Sequence, residues 1–382
     1  MSSPAVSVAM SVYNGERFLS EAIESVLGQT FSDFEFLILD DGSRDSSRAI
    51  IERYAAGDRR IRLISRENRG LVASLNQLLE EARAPLVARM DADDICRPDR
   101  FARQVGFFAA NPDYGVVGSW TEHIGEDAGR EASDWADFPN APADGLDNHG
   151  GSGCQAIEWN GWPKQSDSTG QPLTHKDFLR EIETRRVLLC HSSVMYRRDV
   201  VRKVGGYHSA FTHCEDLDLW LRLAAVTKLG NIPERLIRYR RYPGQVSNRY
   251  ATDQQVGAAI ARIAHEERSA GRPDPTADLD SLPPIAELDA LFGRRGIAQL
   301  VREQVLEDLR YSRDGMGDHG FDMLLDYIRD GGSHAGLWKT VLRVGSFGYP
   351  LRAIRLVAAL MATSPQPARR IPRRLTTSEG AA

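Results

Sequence analysis

Leu86-Val-Ala-Arg-Met90-Asp91-Ala92-Asp93-Asp94 is a short strand-like run that ends in three carboxylates within four residues. Upstream, Phe34-Glu-Phe-Leu-Ile-Leu-Asp40-Asp41-Gly42-Ser43 has the same form, an apolar run closing on an acidic turn. Between and around them the pattern alternates. Val6–Met10, Ile61–Ser65 and Val116–Val117 suit strands. Phe18–Leu27, the segment carrying Ile50, Ile51 and Tyr54 up to Gly57, Leu71–Ala82, and a stretch from near Asp99 through Phe108 carry the 3.6-residue stripe of helices. Strands alternating with helices imply right-handed crossovers and a largely parallel α/β sheet flanked by helices. Ligands of such sheets bind at the carboxyl ends of the strands, where both acidic clusters fall.

Three adjacent carboxylates repel one another, and a cation offsets that best. Oxygen donors at this place suit Mg²⁺ or Mn²⁺, which in turn neutralises phosphate. Asp40-Asp41-Gly42-Ser43 also reads as a plain turn, since Asp and Gly are turn formers. A third cluster, Cys214-Glu215-Asp216-Leu217-Asp218-Leu219-Trp220, opens a helix expected over Asp216–Ala225. There it serves either as negative charge at the positive end of the helix dipole or as a carboxylate base reaching a substrate hydroxyl. Helical spacing puts Asp216 and Trp220 on one face and turns Asp218 elsewhere.

The chain has 382 residues, 42% hydrophobic and 26% charged, long enough for a substantial core and more than one domain. Its net charge of −5 argues against a nucleic-acid binder. No apolar run reaches the ~20 residues of a membrane span, and Met1-Ser-Ser-Pro-Ala lacks the basic start of a signal peptide. The four cysteines form no CxxC pair, so reduced thiols and a cytoplasmic location are expected. GxxxxGK[ST] and GxSxG do not occur, and the one GxGxxG spacing, Gly315-Met-Gly-Asp-His-Gly320, falls far from the strand–helix alternation of the first 120 residues, which disfavours a P-loop NTPase, a serine hydrolase and a dinucleotide dehydrogenase. Any diphosphate is then expected to be held by metal rather than by a glycine cradle.

Charge is uneven along the chain. Between Asp330 and Glu379 there is no acidic residue, while Lys339, Arg343, Arg352, Arg355, Arg369, Arg370, Arg373 and Arg374 lie in that stretch. Leu351, Ile354, Val357, Ala358 and Met361 share a helix face. The segment reads either as a surface helix on an anionic membrane leaflet or as a helix packed on the body of the protein.

Several motifs in order resemble glycosyltransferase family 2, inverting enzymes of GT-A fold. They are Val6-Ser-Val-Ala-Met-Ser-Val-Tyr13-Asn14-Gly15-Glu16; Ser25 to Glu35 leading into Asp40-Asp41-Gly42-Ser43; Asn68-Arg69-Gly70-Leu71; and Asp91-Ala92-Asp93-Asp94 with Pro98-Asp99-Arg100, like a DXD motif and its helix. In the second half come His191-Ser-Ser-Val-Met-Tyr-Arg-Arg198, Val204-Gly205-Gly206-Tyr207 and Glu215 to Leu223. The likeness spans about residues 4–250.

Residues 121–175, rich in Gly, Asp, Asn, Pro and Trp, break the alternation and read as an insertion or lid; around them the resemblance implies a GT-A domain over 1–250. A helical C-terminal extension follows over 251–364, then a basic Pro/Arg tail over 365–382. It implies an inverting, metal-dependent transferase with a Mn²⁺ or Mg²⁺ cofactor. The donor is a nucleotide sugar, UDP-linked by expectation, and the acceptor a glycan or lipid-linked hydroxyl. It implies Ser11, Tyr13 and Asp41 at the base pocket, with Asp41 accepting the base imino N–H; Asp91 near ribose and metal-bound water; Asp93 as the metal ligand with Asp94 beside it; and Asp216 as general base next to Glu215. His191 and Trp220 fall on the acceptor side. Tyr242 stands where many members have His, and Arg240 or Arg241 is a candidate replacement for holding diphosphate. A nucleotidyltransferase of related fold and a non-catalytic binder are the competing readings. The first lacks its glycine- and lysine-containing phosphate loop here; the second is opposed by the intact carboxylates.

Overall fold

The computed structural model describes residues 3–128, 173–184, 189–245, 250–311, 313 and 315–363. Most of the expected insertion, the tail over 365–382 and Cys154 lie outside the described residues. The chain forms two compact units that divide between Leu282 and Pro283.

The first unit is built on an eight-stranded sheet of order β3-β2-β1-β4-β7-β6-β8-β5. The strands are β1 Val6–Val12, β2 Phe34–Asp40, β3 Ile61–Ser65, β4 Leu86–Met90, β5 Ile95–Cys96, β6 Tyr114–Ile124, β7 Met195–Arg197 and β8 Lys228–Arg240. The helices are α1 Leu19–Leu27, α2 Ser47–Gly57, α3 Leu71–Glu81, α4 Arg100–Ala110, α5 His175–Thr184, α6 Arg198–Lys203, α7 Glu215–Leu223 and α8 Ala251–Ser269.

β1 to β4 pair in parallel, as the alternation of elements implies. All seven residues of β2 are buried, the mark of a strand covered on both faces. Val8, Met10, Phe36, Ile38, Ala88 and Met90 pack with Leu19 and Ile23 of α1 and Phe101 of α4 in one core. The sheet is not continued by a further parallel strand beside β4. Three-residue β7 lies there, antiparallel to both β4 and β6, so β6 again runs in the direction of β4. β8 pairs in parallel with β6, and two-residue β5 runs antiparallel to β8. β8 escapes a period-two reading because Arg235, Arg238 and Arg240 interrupt its apolar residues.

Register places the site. Met10 lies opposite Met90 and Val12 opposite Asp40, so the loops after β1, β2 and β4 leave the same edge. The first two are laced together: Ser43 Oγ accepts Asn14 N–H, Asn14 Oδ1 accepts Arg44 N–H, and Ser47 Oγ accepts Gly15 N–H, at 2.8–3.0 Å. Asn14 itself adopts a left-handed conformation, φ 52°, which Asn tolerates better than most residues.

Helix α8 packs on α7 within this unit, where a Cβ on Gly257 would collide with Cys214 Sγ. The second unit is helical. Its main helices are Ile297–Leu309, Asp318–Arg329, Leu337–Ser346 and Pro350–Ala362, with Val301, Val305, Phe321, Leu324, Val344 and Leu356 among the buried residues. No helix among the described residues is long and apolar enough to cross a membrane.

Candidate active site

At the edge formed by β1 and β2, Tyr13, Asp40, Ser43, Arg44, Arg48 and Arg66 line a cavity of about 530 Å³. Tyr13 is half exposed, and Ser11 sits at the end of β1, one residue past the Met10–Met90 pair. Asp41 is buried beneath the cavity. Its carboxylate accepts Arg69 N–H at 3.1 Å and Gly70 N–H at 2.8 Å and pairs with Arg66 Nη2 at 2.9 Å. Asp41 thus fixes the loop before α3 and the guanidinium of Arg66, while Asp40 faces the cavity. Gly42, at φ +76°, cannot carry a side chain: a Cβ would lie 2.7 Å from the backbone N of Asn68.

The Asp91 cluster divides by exposure. Asp91 is partly exposed and pairs at 2.6 Å with Arg89, whose side chain is 2% exposed. Arg89 is the fourth of the five residues of β4, and its charge acts on Asp93, Glu215 and Asp216 as well. Its sequence signal is an arginine inside an otherwise apolar strand, which the motif reading passes over. Asp93 has its carboxyl pushed up to about 6 by burial and then by the charge of Asp91. Tyr242 Oη donates to Asp93 Oδ2 at 3.0 Å and packs against the Phe18 ring. Asp94 is fully buried, turns inward, and accepts the backbone N–H of Arg240 at 2.9 Å, tying β8 to the cluster.

Arg240 is only 1% exposed, so it does not offer its guanidinium to a diphosphate as the sequence reading allowed. It donates to Asp93 O at 2.9 Å and Glu126 O at 3.2 Å and pairs with Glu21 at 2.7 Å. Arg241 is exposed beside His123.

Across the site, α7 begins with Glu215 and Asp216. Glu215 is buried and its carboxyl is pushed up to about 8, by burial and then by Asp216. Its Oε1 lies 3.8 Å from His191 Nδ1. Asp216 is half-buried, with its carboxyl held up to about 6 by burial. The Leu217 N–H and the Arg89 charge oppose that shift, and the charge of Asp91 adds to it.

His191 Nε2 meets Tyr207 Oη at 3.0 Å, and its ring lies edge-on to Trp220. Trp220 is 1% exposed. It therefore has no surface to give an acceptor; it backs the His191 ring instead.

The Gly205-Gly206-Tyr207 motif has a structural reason. Both glycines have positive φ, and a Cβ on Gly206 would sit 2.6 Å from Asn76 Oδ1. Asn76 accepts Tyr207 N–H and donates to Tyr207 O, which aims the tyrosine at His191. Asp218 turns away from the site and pairs with Arg222, whose guanidinium holds the carbonyls of Val204 and Gly206.

Asp91 and Asp93 offer hard oxygen donors at a strand edge, a set that suits Mg²⁺ or Mn²⁺ bound by one or two carboxylates with substrate phosphate and water completing the shell. Among the described residues no group of three or more His, Cys, Asp or Glu is arranged to hold a metal by itself. Cys96, Cys190 and Cys214 are free thiols.

Comparison with known proteins bears on this arrangement. The sequence profile of "Glycosyl transferase family 2" matches residues 7–205. EpsE of Bacillus subtilis (strain 168) is 33% identical over 244 residues, 63% of this chain and 74% of EpsE. The amylovoran biosynthesis glycosyltransferase AmsE of Erwinia amylovora is 27% identical over 64% of this chain and 79% of AmsE. The O-antigen biosynthesis glycosyltransferase WbnJ of Escherichia coli is 26% identical over 62% and 79%. Among solved structures, S. aureus TarS 1–349 in complex with UDP gives a TM-score of 0.49 at 16% identity, over 93% of this chain and 87% of that one. With the profile covering the strands that carry both acidic clusters, and with EpsE matched over most of its length, this chain belongs to glycosyltransferase family 2 and is a glycosyltransferase.

Proposed function

We propose that the protein is an inverting glycosyltransferase that moves a sugar from a nucleoside-diphosphate sugar, UDP-linked by first expectation, to a hydroxyl of a glycan or lipid-linked acceptor. The names of AmsE and WbnJ support polysaccharide assembly as the setting. The observation that carries the reading is that two carboxyl groups from distant segments, Asp93 in the loop after β4 and Asp216 at the start of α7, both feel the charges of Asp91 and Arg89.

In this reading the cavity beside Tyr13 takes the nucleoside, with Ser11 and the Asp41-fixed loop as its walls. Arg44, Arg48 and Arg66 bring positive charge to that cavity. Asp93 holds the divalent cation, with Asp91 beside it, and Tyr242 and Arg240 set the position of Asp93. Such a cation, when bound, neutralises the charge that collects on the departing diphosphate. Asp94 acts through Arg240 rather than on the donor. Asp216 accepts the acceptor's proton as its oxygen attacks the anomeric carbon from the face opposite the diphosphate. That single displacement inverts the centre. Glu215, His191 and Tyr207 form the buried support of Asp216, and the Arg89 charge keeps its carboxyl from rising further.

The test is a thermal-shift panel of sugar nucleotides with and without Mn²⁺, followed by turnover with the responding donor. A ligand at a hundred times its Kd stabilises the fold by about 2.7 kcal/mol. One nucleotide family is expected to respond in a metal-dependent way, with the response lost in Asp93→Ala. Asp216→Asn is expected to keep the shift and lose donor turnover. A metal-independent shift that survives Asp93→Ala overturns the assignment of Asp93, and full turnover by Asp216→Asn overturns that of Asp216.

A further inference from the structure

The helical unit carries an apolar surface that its own core leaves uncovered. In the helix Leu337–Ser346, Trp338 and Leu342 are 53% and 77% exposed. In the helix Pro350–Ala362, Leu351, Ile354 and Met361 are 76%, 66% and 77% exposed. At about 100° per residue, each helix shows the same three-sided plan. Leu337, Thr340 and Val344, and on the partner helix Leu356 and Leu360, face the core. Gly345 meets Ala353 at the seam between the two helices. The exposed apolar stripe lies beside the seam on the side away from the core in both, so the two stripes join into one surface. Lys339 lies past the outer edge of the first stripe and Arg355 past that of the second, and both are exposed, with Arg355 also over the Phe321 ring and 3.9 Å from the carboxylate of Asp322. Arg343 and Arg352 are turned back onto the unit, over Tyr311 and onto Met316 O. No acidic residue occurs between Asp330 and Glu379.

We infer that this helical hairpin docks on an anionic lipid bilayer, lying in the plane of the interface. An apolar strip this exposed is a poor fit to water. A strip flanked by cations, in a stretch free of acids, fits the boundary between acyl chains and negatively charged headgroups. An acidic groove on a protein would match the charges, but not five large side chains projecting beside one another along two helices. The inference stands apart from the transferase reading, since it involves neither the donor nor the carboxylates.

The experiment is flotation of the full chain with vesicles of phosphatidylcholine alone and with a third phosphatidylglycerol, at low and high salt. The wild type is expected to float with the anionic vesicles and at least tenfold less with the neutral ones, and salt is expected to weaken the binding. The triple variant Leu342→Ser, Ile354→Ser, Met361→Ser is expected to lose binding at least tenfold while keeping its melting temperature, because all three side chains project into solvent. Lys339→Glu with Arg355→Glu is expected to lose binding to anionic vesicles with the apolar strip intact. Absence of flotation by the wild type, equal binding to neutral vesicles, or unchanged binding by the triple variant overturns the inference. So does a concentration-dependent dimer in light scattering that the triple variant abolishes, which would make a second copy of the chain the occupant.

Discussion

If Asp216 is the base, its ionisation sets the acid limb of the rate. Its carboxyl stands at about 6 because burial outweighs the Leu217 N–H and the Arg89 charge; an unperturbed aspartate stands at about 3.9. A base works only when deprotonated. About one molecule in ten is therefore competent at pH 5 and about nine in ten at pH 7, so kcat at saturating donor is expected to rise about tenfold across that interval and then level. An ordinary aspartate would leave the same interval nearly flat. Asp93 also stands at about 6 and titrates in the same window. The two separate by readout: donor affinity follows Asp93, whereas kcat in the donor complex follows Asp216. Asp216→Asn is expected to lower kcat by about 10²–10⁴-fold and leave the pH dependence of donor affinity in place. The assay is a pH series of kcat and of donor Kd on both proteins, after a donor has been found. A kcat flat from pH 5 to 7, or Asp216→Asn retaining more than a tenth of the rate, would refute the reasoning.

Three further outcomes are expected. Glu215 keeps its proton to about pH 8 in the fold but only to about 4.3 when unfolded, so between these values the folded state binds more protons and stability falls as pH rises; Glu215→Gln is expected to raise the melting temperature relative to wild type at pH 8.5 and to change it little at pH 4, as a pair of melting curves will show. Arg240→Leu removes the pairing with Glu21 and the donors to Asp93 O and Glu126 O; a loss of about 3 kcal/mol in urea unfolding is expected, as for a broken buried ion pair, and a loss below 1 kcal/mol would show that Arg240 is not the clamp described. Gly206→Ala places a Cβ at φ +72°, 2.6 Å from Asn76 Oδ1; about 1–3 kcal/mol of destabilisation is expected together with reduced turnover, since Tyr207 then loses its aim at His191.

Much of this was legible in the residues. β1 to β4 and α1 to α4 follow from periodicity, and the shared edge of their loops follows from parallel pairing. The acidic clusters could be seen, but their division of labour could not. Nothing in Asp91-Ala92-Asp93-Asp94 says that the third carboxylate turns inward to bind Arg240 N–H, because its partner lies 146 residues away. Helix spacing put Trp220 on the face of Asp216, and the resemblance implied an acceptor-side place for it. Spacing gives a face but not what covers it, and here the His191 ring does. Arg89 and Arg240 were hidden for a related reason. A charged residue in a strand reads as exposed, and only the fold shows it buried among carboxylates and carbonyls. The apolar face of the helix Pro350–Ala362 was visible as a pattern, whereas its exposure, and its continuity with Trp338 and Leu342, depend on which side the core takes.

The choice between the two neighbouring carboxylates of α7 follows from the same electrostatics. Glu215 and Asp216 are one step apart on the helix, about 100° in azimuth. Glu215 turns inward to His191, 5% exposed, and at neutral pH its high proton affinity keeps it neutral. A neutral group there also spares Asp216 a second negative neighbour, so Asp216 can ionise near pH 6 with the charge of Asp91 opposing its ionisation and that of Arg89 favouring it. Were both ionised, two adjacent charges would face Asp91 with one buried guanidinium to offset them. At neutral pH, then, Asp216 is the ionised and solvent-reachable member of the pair, and Glu215 is the proton-holding spacer that makes its ionisation tolerable.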